Sequence, residues 1–224
     1  LYHSIKLGVV VERNAVQPAP GRRRVNRSSI DVRDRLIEAG LAEFAAKGFD
    51  GASTRAIAAG ADAHQPQINY HFASKDELWR VALERLLGEL DVAIEEHAAG
   101  VDRDDDGAMF AAIVRGLVHF AARRPELNRI MMHEGTSPGP RLTWLVDNHL
   151  GWRHRDLRRR WEALMAQGRA GPVSADVLYH VIIGAASLLY ANAPEAQLLG
   201  VDPSDPAVVD AHARSLIALL LPAP

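Results

Sequence analysis

An all-α fold is predicted for this 224-residue chain, and three features of the sequence predict it. Apolar residues recur at three- and four-residue steps: Leu36, Ile37, Leu41, Phe44 and Ala45 early, Phe110, Ile113, Val114, Leu117 and Phe120 in the middle. Residues able to cap a helix stand ahead of such runs: Ser53, Ser74 with Glu77 three positions on, Ser174, and Asp205 followed by Pro206. Gly48, Gly100 and Gly135 close runs, and Pro125 separates two of them. The pattern amounts to about nine helices.

The first helix is expected from Asp31, with Asp31 and Asp34 as its caps, to Gly48. Its stripe of Leu36, Ile37, Leu41, Phe44 and Ala45 forms the inner face of a three-helix unit closed by Ile57, Ile68 and Phe72. Residues 53–72 read as two short helices joined by a tight turn. Ser53 offers its hydroxyl oxygen to an orphan N–H, and Ala56 to Ala61 are strong helix formers around Ile57. Asp62 ends this helix, since Asp is one of the few residues besides Gly that tolerate left-handed angles. Pro66 fits only a first turn, which places the next helix start near His64 or Gln65. On that helix Ile68 and Phe72 hold the inner face. Gln65, Gln67, Asn69, Tyr70 and His71 supply the paired donors and acceptors that read base edges in a major groove.

The stretch Leu36 to Phe49 with its Lys47-Gly48-Phe49 ending, Thr54-Arg55-Ala56-Ile57-Ala58, Ile68-Asn69-Tyr70-His71-Phe72 and Ser74-Lys75-Asp76-Glu77-Leu78 follow in order. This series, about fifty residues, resembles the DNA-binding domain of the tetracycline-repressor (TetR) family of transcription regulators. Asp62 stands where that family usually has a turn glycine, and His64 where it usually has a capping serine. The resemblance implies a helix-turn-helix DNA-binding domain over 28–75, with the motif itself at about 53–72. It also implies a helical bundle over 76–224 for ligand binding and dimerisation. Residues 1–27, with Arg22-Arg23-Arg24 and Arg27, read as a flexible basic extension, disordered or translated from upstream. Such an arm could neutralise phosphates or enter a minor groove.

Composition narrows the classes. The absence of cysteine removes disulfides and thiolate chemistry and suits a cytoplasmic protein, and no apolar run is long enough for a membrane span. A net charge of −2 conceals an asymmetry: twelve Lys and Arg against nine acids in residues 1–80, fourteen against nineteen beyond. A basic front and an acidic rear suit DNA at one end only. Asp102 to Gly107 imitates a calcium loop, but position twelve is Ile113 and not Glu, so it reads as a solvated interhelix loop. No metalloprotease, serine-hydrolase or diiron pattern is present, so no catalytic residue, metal or cofactor is expected.

Gln65, Gln67 and Asn69 are therefore expected at base edges, and Thr54, Arg55, Tyr70, His71 and Lys75 at phosphates. The helix starts at Ser53 and Ser74 add backbone N–H groups. The long helix from Ser74 toward Gly100 carries Leu78, Val81, Leu86, Leu90 and Ile94 on one side and joins the two halves. Another long helix is expected from Leu142 through Trp152 and Trp161 to Met165. Residues 177–189 are apolar nearly all round. Val177, Val181, Ile182 and Leu188, with Leu216 and Leu220 of the last helix, are expected to pair two copies, and the resemblance implies the same homodimer. His119, Met131, His133, Trp144, His149, Trp152 and Tyr179 are candidates to line a mainly apolar cavity for an unknown small-molecule inducer. The function expected is a ligand-responsive repressor on a palindromic operator. An activator of the same family, or a small-molecule-binding or catalytic bundle with an incidental helix-turn-helix, is the alternative.

Overall fold

In the computed structural model residues 27–222 are described, and they form helices and turns. The order is α1 (Arg27–Gly51), α2 (Thr54–Gly60), α3 (Gln65–His71), α4 (Lys75–His97), α5 (Asp106–Arg123), α6 (Glu126–Gly135) and α7 (Pro140–Leu145). A π-helical turn (Val146–Leu150) leads into α8 (Gly151–Ala166), followed by α9 (Leu178–Ala191), α10 (Ala193–Leu198) and α11 (Pro206–Leu220). The basic extension, residues 1–26, lies outside the described residues.

The structure corrects α1 at both ends. It begins before Asp31, so Asp31 sits within the helix, and Asp34 pairs with Arg85 of α4 (2.5 Å) instead of capping. At the expected stop, Gly48 has φ 68° and ψ 175°, and one further turn follows to Gly51. A β-carbon at Gly48 would also lie 3.2 Å from the His133 ring on α6, so glycine is required twice over. The head of α4 follows half of its sequence signature: Ser74 Oγ accepts from the Glu77 N–H (3.0 Å), while the Glu77 carboxylate accepts from the Ala73 N–H, one residue before the cap.

Two large apolar cores result, with a small third cluster of Ala98, Met109 and Ala112. The first joins Leu36, Ile37, Leu41 and Phe44 of α1, Ile57 of α2 and Ile68 of α3 to Phe72 and to the α4 face of Leu78, Trp79, Leu83 and Leu86. Phe120, Ile130 and Leu145 complete it, so the N-terminal core extends well past residue 75. The second lies among α5, α8, α9 and α11, around Phe110, Val114, Trp161, Leu178, Ile182, Leu216 and Leu220. Helix α5 serves both. It lies so close to α4 that a β-carbon on Gly116 would stand 2.7 Å from the Ile94 Cα.

Charge ties the N-terminal unit to the rest. Arg124, just past α5, reaches Glu38 on α1 (3.0 Å), Glu89 on α4 (3.1 Å) and, more loosely, Glu126 on α6 (3.7 Å). Arg85 meets Glu38 as well (3.4 Å). In the second half, the buried Arg160 guanidinium is held by Asp156 and Asp106, each at 3.1 Å, and by the Arg103 carbonyl.

The long helix expected over 142–165 is interrupted. Between α7 and α8 the Gly151 N–H reaches the Val146 carbonyl five residues back, which widens the turn. A β-carbon on Gly151 would lie 2.9 Å from that oxygen, so glycine makes the wider turn possible. Ser174 accepts from the Asp176 N–H (3.3 Å) in a turn ahead of α9, whose first residue is Leu178. Helix α10, with Pro194 in its first turn, is too short to carry a periodic signal and has no counterpart among the helices expected from sequence. Among the described residues no helix is long and apolar enough to cross a membrane, and no cluster of three metal-ligating side chains occurs.

Candidate nucleic-acid interface

The turn between α2 and α3 explains how residues 53–72 hold their shape. Ser53 Oγ accepts from the Ala56 N–H (3.4 Å) at the start of α2. At its end the Ala63 N–H bonds the Ala58 carbonyl (2.9 Å) and the Asp62 N–H the Ala59 carbonyl (3.2 Å). Asp62 sits between them at φ 50°, so this is a Schellman motif with aspartate in the left-handed position usually held by glycine. Arg35 of α1 donates to the Ala61 carbonyl (2.9 Å), fixing the turn to the unit behind it.

Helix α3 is anchored by Ile68 and by Phe72 just beyond its end, both fully buried. Gln65, Asn69 and Tyr70 consequently point outward, and Tyr70 is 79% exposed. Arg55 and Ser53 are exposed beside them, and Thr54 is half-buried. His71 is half-buried, with its ring 5.0 Å from that of Tyr70. Burial first, and then the charge of Arg33, hold its imidazole below the ordinary histidine pKa. Arg33, which sequence reasoning passed over, lies over the Phe72 ring (5.2 Å) and adds a cation next to the group.

Two of the residues expected at DNA also have partners within the fold. Gln67 Oε1 accepts from the His64 N–H (2.8 Å), so the oxygen of this half-buried amide caps α3 where the serine is missing. Lys75 Nζ donates to the Phe49 and Ala52 carbonyls (2.8 and 3.0 Å) and lies over the Phe49 ring (4.5 Å). It closes the end of α1 with two of its three N–H donors. Ser74 is exposed, but its hydroxyl is engaged in its own cap.

The rear half also departs from expectation. The seven candidate ligand residues do not line one cavity. Met131 and Trp144 pack on the first core, with the His149 ring 4.8 Å from Trp144. His119 lies elsewhere, 3.2 Å from Asp210 and with its ring 4.8 Å from that of His97. Tyr179 packs on the second core beside His154, where burial raises its pKa, and His133 and Trp152 are exposed. A groove of about 470 Å³ is lined instead by Gly88, Glu89, Val92, Glu96, Phe120, Arg123 and Arg124. Of the expected pairing residues, Ile182, Leu216 and Leu220 are buried within the second core and have no outward surface to offer. Val177, just ahead of α9, and Val181 and Leu188 on it do lie exposed, joined by Leu219 of α11, which is 74% exposed.

Residues 36–81, from the inner stripe of α1 to the first turns of α4, match the family described as bacterial regulatory proteins, tetR family. Over residues 36–81 the chain is similar to the tetR family. The chain is 36% identical over 105 residues to an HTH-type transcriptional repressor of Streptomyces coelicolor, a match covering 47% of the chain and 50% of that protein. It is 27% identical over 177 residues to the probable acrEF/envCD operon repressor of Escherichia coli K12, covering 76% and 79% respectively. The fold is shared with the TetR family transcriptional regulator PfmR of Thermus thermophilus at a TM-score of 0.64 and 17% identity, over 86% of this chain and 96% of that one. The chain thus spans only half the length of the Streptomyces repressor. These relatives and this structural neighbour are transcriptional regulators and not enzymes.

Proposed function

We propose that this chain is a sequence-specific transcriptional repressor that binds a palindromic operator as a homodimer and is released by a small-molecule inducer. The observation that carries the reading is the outward face of α3: Gln65, Asn69 and the largely bare Tyr70 stand on a helix whose opposite side is locked by Ile68 and Phe72. Amides pair bidentately with adenine, and a rigid base lets them discriminate between bases. Arg55 and the exposed head of α2 supply phosphate contacts, and Thr54, Tyr70 and His71 flank them.

Pairing is supported by the uncovered apolar strip of Val177, Val181, Leu188 and Leu219, with the small Gly184, Ala185 and Ala218 exposed between them. A second copy related by a two-fold axis covers such a strip with itself, because the surface is self-complementary. Two α3 helices would then enter major grooves about 34–36 Å apart. Repression is supported by the relatives being repressors, and an inducer and the operator must oppose each other to the same degree.

The test is footprinting of the purified protein on the DNA upstream of its own coding region, alongside its solution mass. A protected two-fold-symmetric site and a mass of two chains are expected. A mass of one chain that shifts no duplex in preference to random sequence removes the reading.

A further inference from the structure

Between Arg33 and Arg80 the cations of the chain fall into two groups. Arg35 donates to the Ala61 carbonyl, Lys47 pairs with Glu43, Lys75 is turned onto two carbonyls at the end of α1, and Arg80 pairs with Asp76. Arg33 and Arg55 have neither a carboxylate nor a carbonyl partner among the described residues, and both stand next to α3, one on α1 and one on α2. The Arg33 guanidinium lies 5.2 Å from the centre of the Phe72 ring, at the residue that ends α3. The residue before it is His71, half-buried, with its ring 5.0 Å from that of Tyr70 and 6.3 Å from that of Phe72.

Burial, and then the charge of Arg33, disfavour the imidazolium at this place. No acid offsets them. Of the charged groups on the surrounding elements only Arg33 acts on the ring: Glu77 accepts from the Ala73 N–H, Asp76 holds Arg80, Lys75 faces the end of α1, and Arg55 and Asp62 on the α2 side exert no resolved effect. One permanent cation and one titratable group thus share the end of the reading helix with no anion between them. As a cover for Phe72 and a cation at the negative end of α3, Arg33 has a purely structural use. That use does not call for a histidine beside it, where the two oppose each other's charge. Such opposition is characteristic of a site whose missing counter-charge is its ligand.

We propose that Arg33 and His71 together hold one backbone phosphate of the operator, and that seating this phosphate loads a proton onto His71, so that the affinity for DNA depends on pH. The inference rests on the DNA-binding reading above. A phosphodiester between the two groups supplies the negative charge both lack, and charge-assisted bonds from a guanidinium and an imidazolium are the strong kind. The phosphate offsets the repulsion from Arg33 and attracts the proton, so His71 titrates at a higher pH in the complex than in the free chain. Proton and DNA then favour each other to the same degree. Binding takes up protons and strengthens as pH falls from 8 to 6, and two heads on one operator double the effect. The grip on DNA is thereby tuned by acidity without any small molecule.

The experiment titrates the full chain with the duplex it prefers in a selection from random sequence, at pH 6.0, 7.0 and 8.0 and constant ionic strength. The dissociation constant should fall by about tenfold or more from pH 8.0 to 6.0. His71→Gln, which keeps an N–H donor but takes up no proton, should flatten that dependence. Arg33→Met should lower the salt slope of binding by about two ions for a pair of chains, and in the free chain should raise the His71 titration midpoint followed by NMR of the ring C–H. A residue that only covers Phe72 would change the melting temperature and neither of these. In the unaltered chain, adding the duplex should raise the same midpoint. A pH dependence that survives His71→Gln, a midpoint that DNA does not raise, or an Arg33→Met chain with an unchanged salt slope would overturn the proposal. A preferred duplex bound equally at all three pH values removes this inference alone, whereas a chain that prefers no duplex removes the regulator reading with it.

Discussion

Replacing Gly116 by alanine tests the close approach of α5 to α4. The added β-carbon would stand 2.7 Å from Ile94 Cα, 3.0 Å from its nitrogen and 2.9 Å from its Cγ1. Carbon pairs settle at about 3.5–4.0 Å, so α5 must retreat from α4 by roughly 1 Å, because two of the three atoms are backbone and cannot rotate away. Overpacking of this kind is destabilising by about 1–3 kcal/mol, here at the upper end, while glycine to alanine within a helix returns about 1 kcal/mol. The net expectation is a loss of about 2 kcal/mol. Gly88 on α4 supplies the control: it is exposed with no atom within 4 Å of its would-be β-carbon, so Gly88→Ala should gain up to about 1 kcal/mol. Urea denaturation followed by far-UV circular dichroism, at one fixed protein concentration, should move the two midpoints in opposite directions. A Gly116→Ala protein that melts at or above the wild-type midpoint would show that the α4–α5 approach is wrongly described.

Four further outcomes follow from particular contacts. Gln67→Ala removes the cap on the His64 N–H and should lower stability by about 0.5–2 kcal/mol in thermal melts, without relaxing base preference in a binding-site selection. Lys75→Met strips two carbonyls at the end of α1 of a charged donor and should lower stability by about 1.5–3 kcal/mol, leaving the salt slope of DNA binding unchanged in titrations corrected for folded protein. Val181→Asp with Leu188→Asp should convert a two-chain mass to one chain by light scattering with little change in helix content, since both side chains point outward. Acidification should destabilise: burial lowers the pKa of His71, His97, His149 and His212, so the unfolded chain takes up protons first. Stability is full above about pH 6.5 and is lost as pH falls through the lower folded values, so the urea midpoint should be lower at pH 5.5 than at 7.5. A midpoint that rises on acidification contradicts the burial of these rings.

What the sequence disclosed and what it hid divide along the range of the forces involved. The Ser53 cap, the left-handed Asp62, the first-turn Pro66 and the Ser74–Glu77 pair act over two to four residues, so each was readable before any fold existed. Lys75 and Gln67 carry the right chemistry for DNA, yet their partners are backbone groups placed by tertiary and cap geometry. Trp79 went unremarked because a lone tryptophan in a leucine-rich helix resembles ordinary core, and only the surrounding rings reveal its unpartnered N–H. The π-helical turn has the same composition as a helix, and only the fit of Gly151 against Val146 distinguishes it. Ile182, Leu216 and Leu220 were misplaced because periodicity shows that a face is apolar but not whether its cover comes from within or from a neighbour.

The carboxylates of Glu38, Glu89 and Asp34 that grip Arg124 and Arg85 strap the reading head to the bundle with charge. Added electrolyte screens such half-exposed pairs as well as the attraction to phosphate. Concentrated salt will therefore loosen the bracket and the grip together, and a count of ions released on binding will exceed the number of phosphates the protein touches.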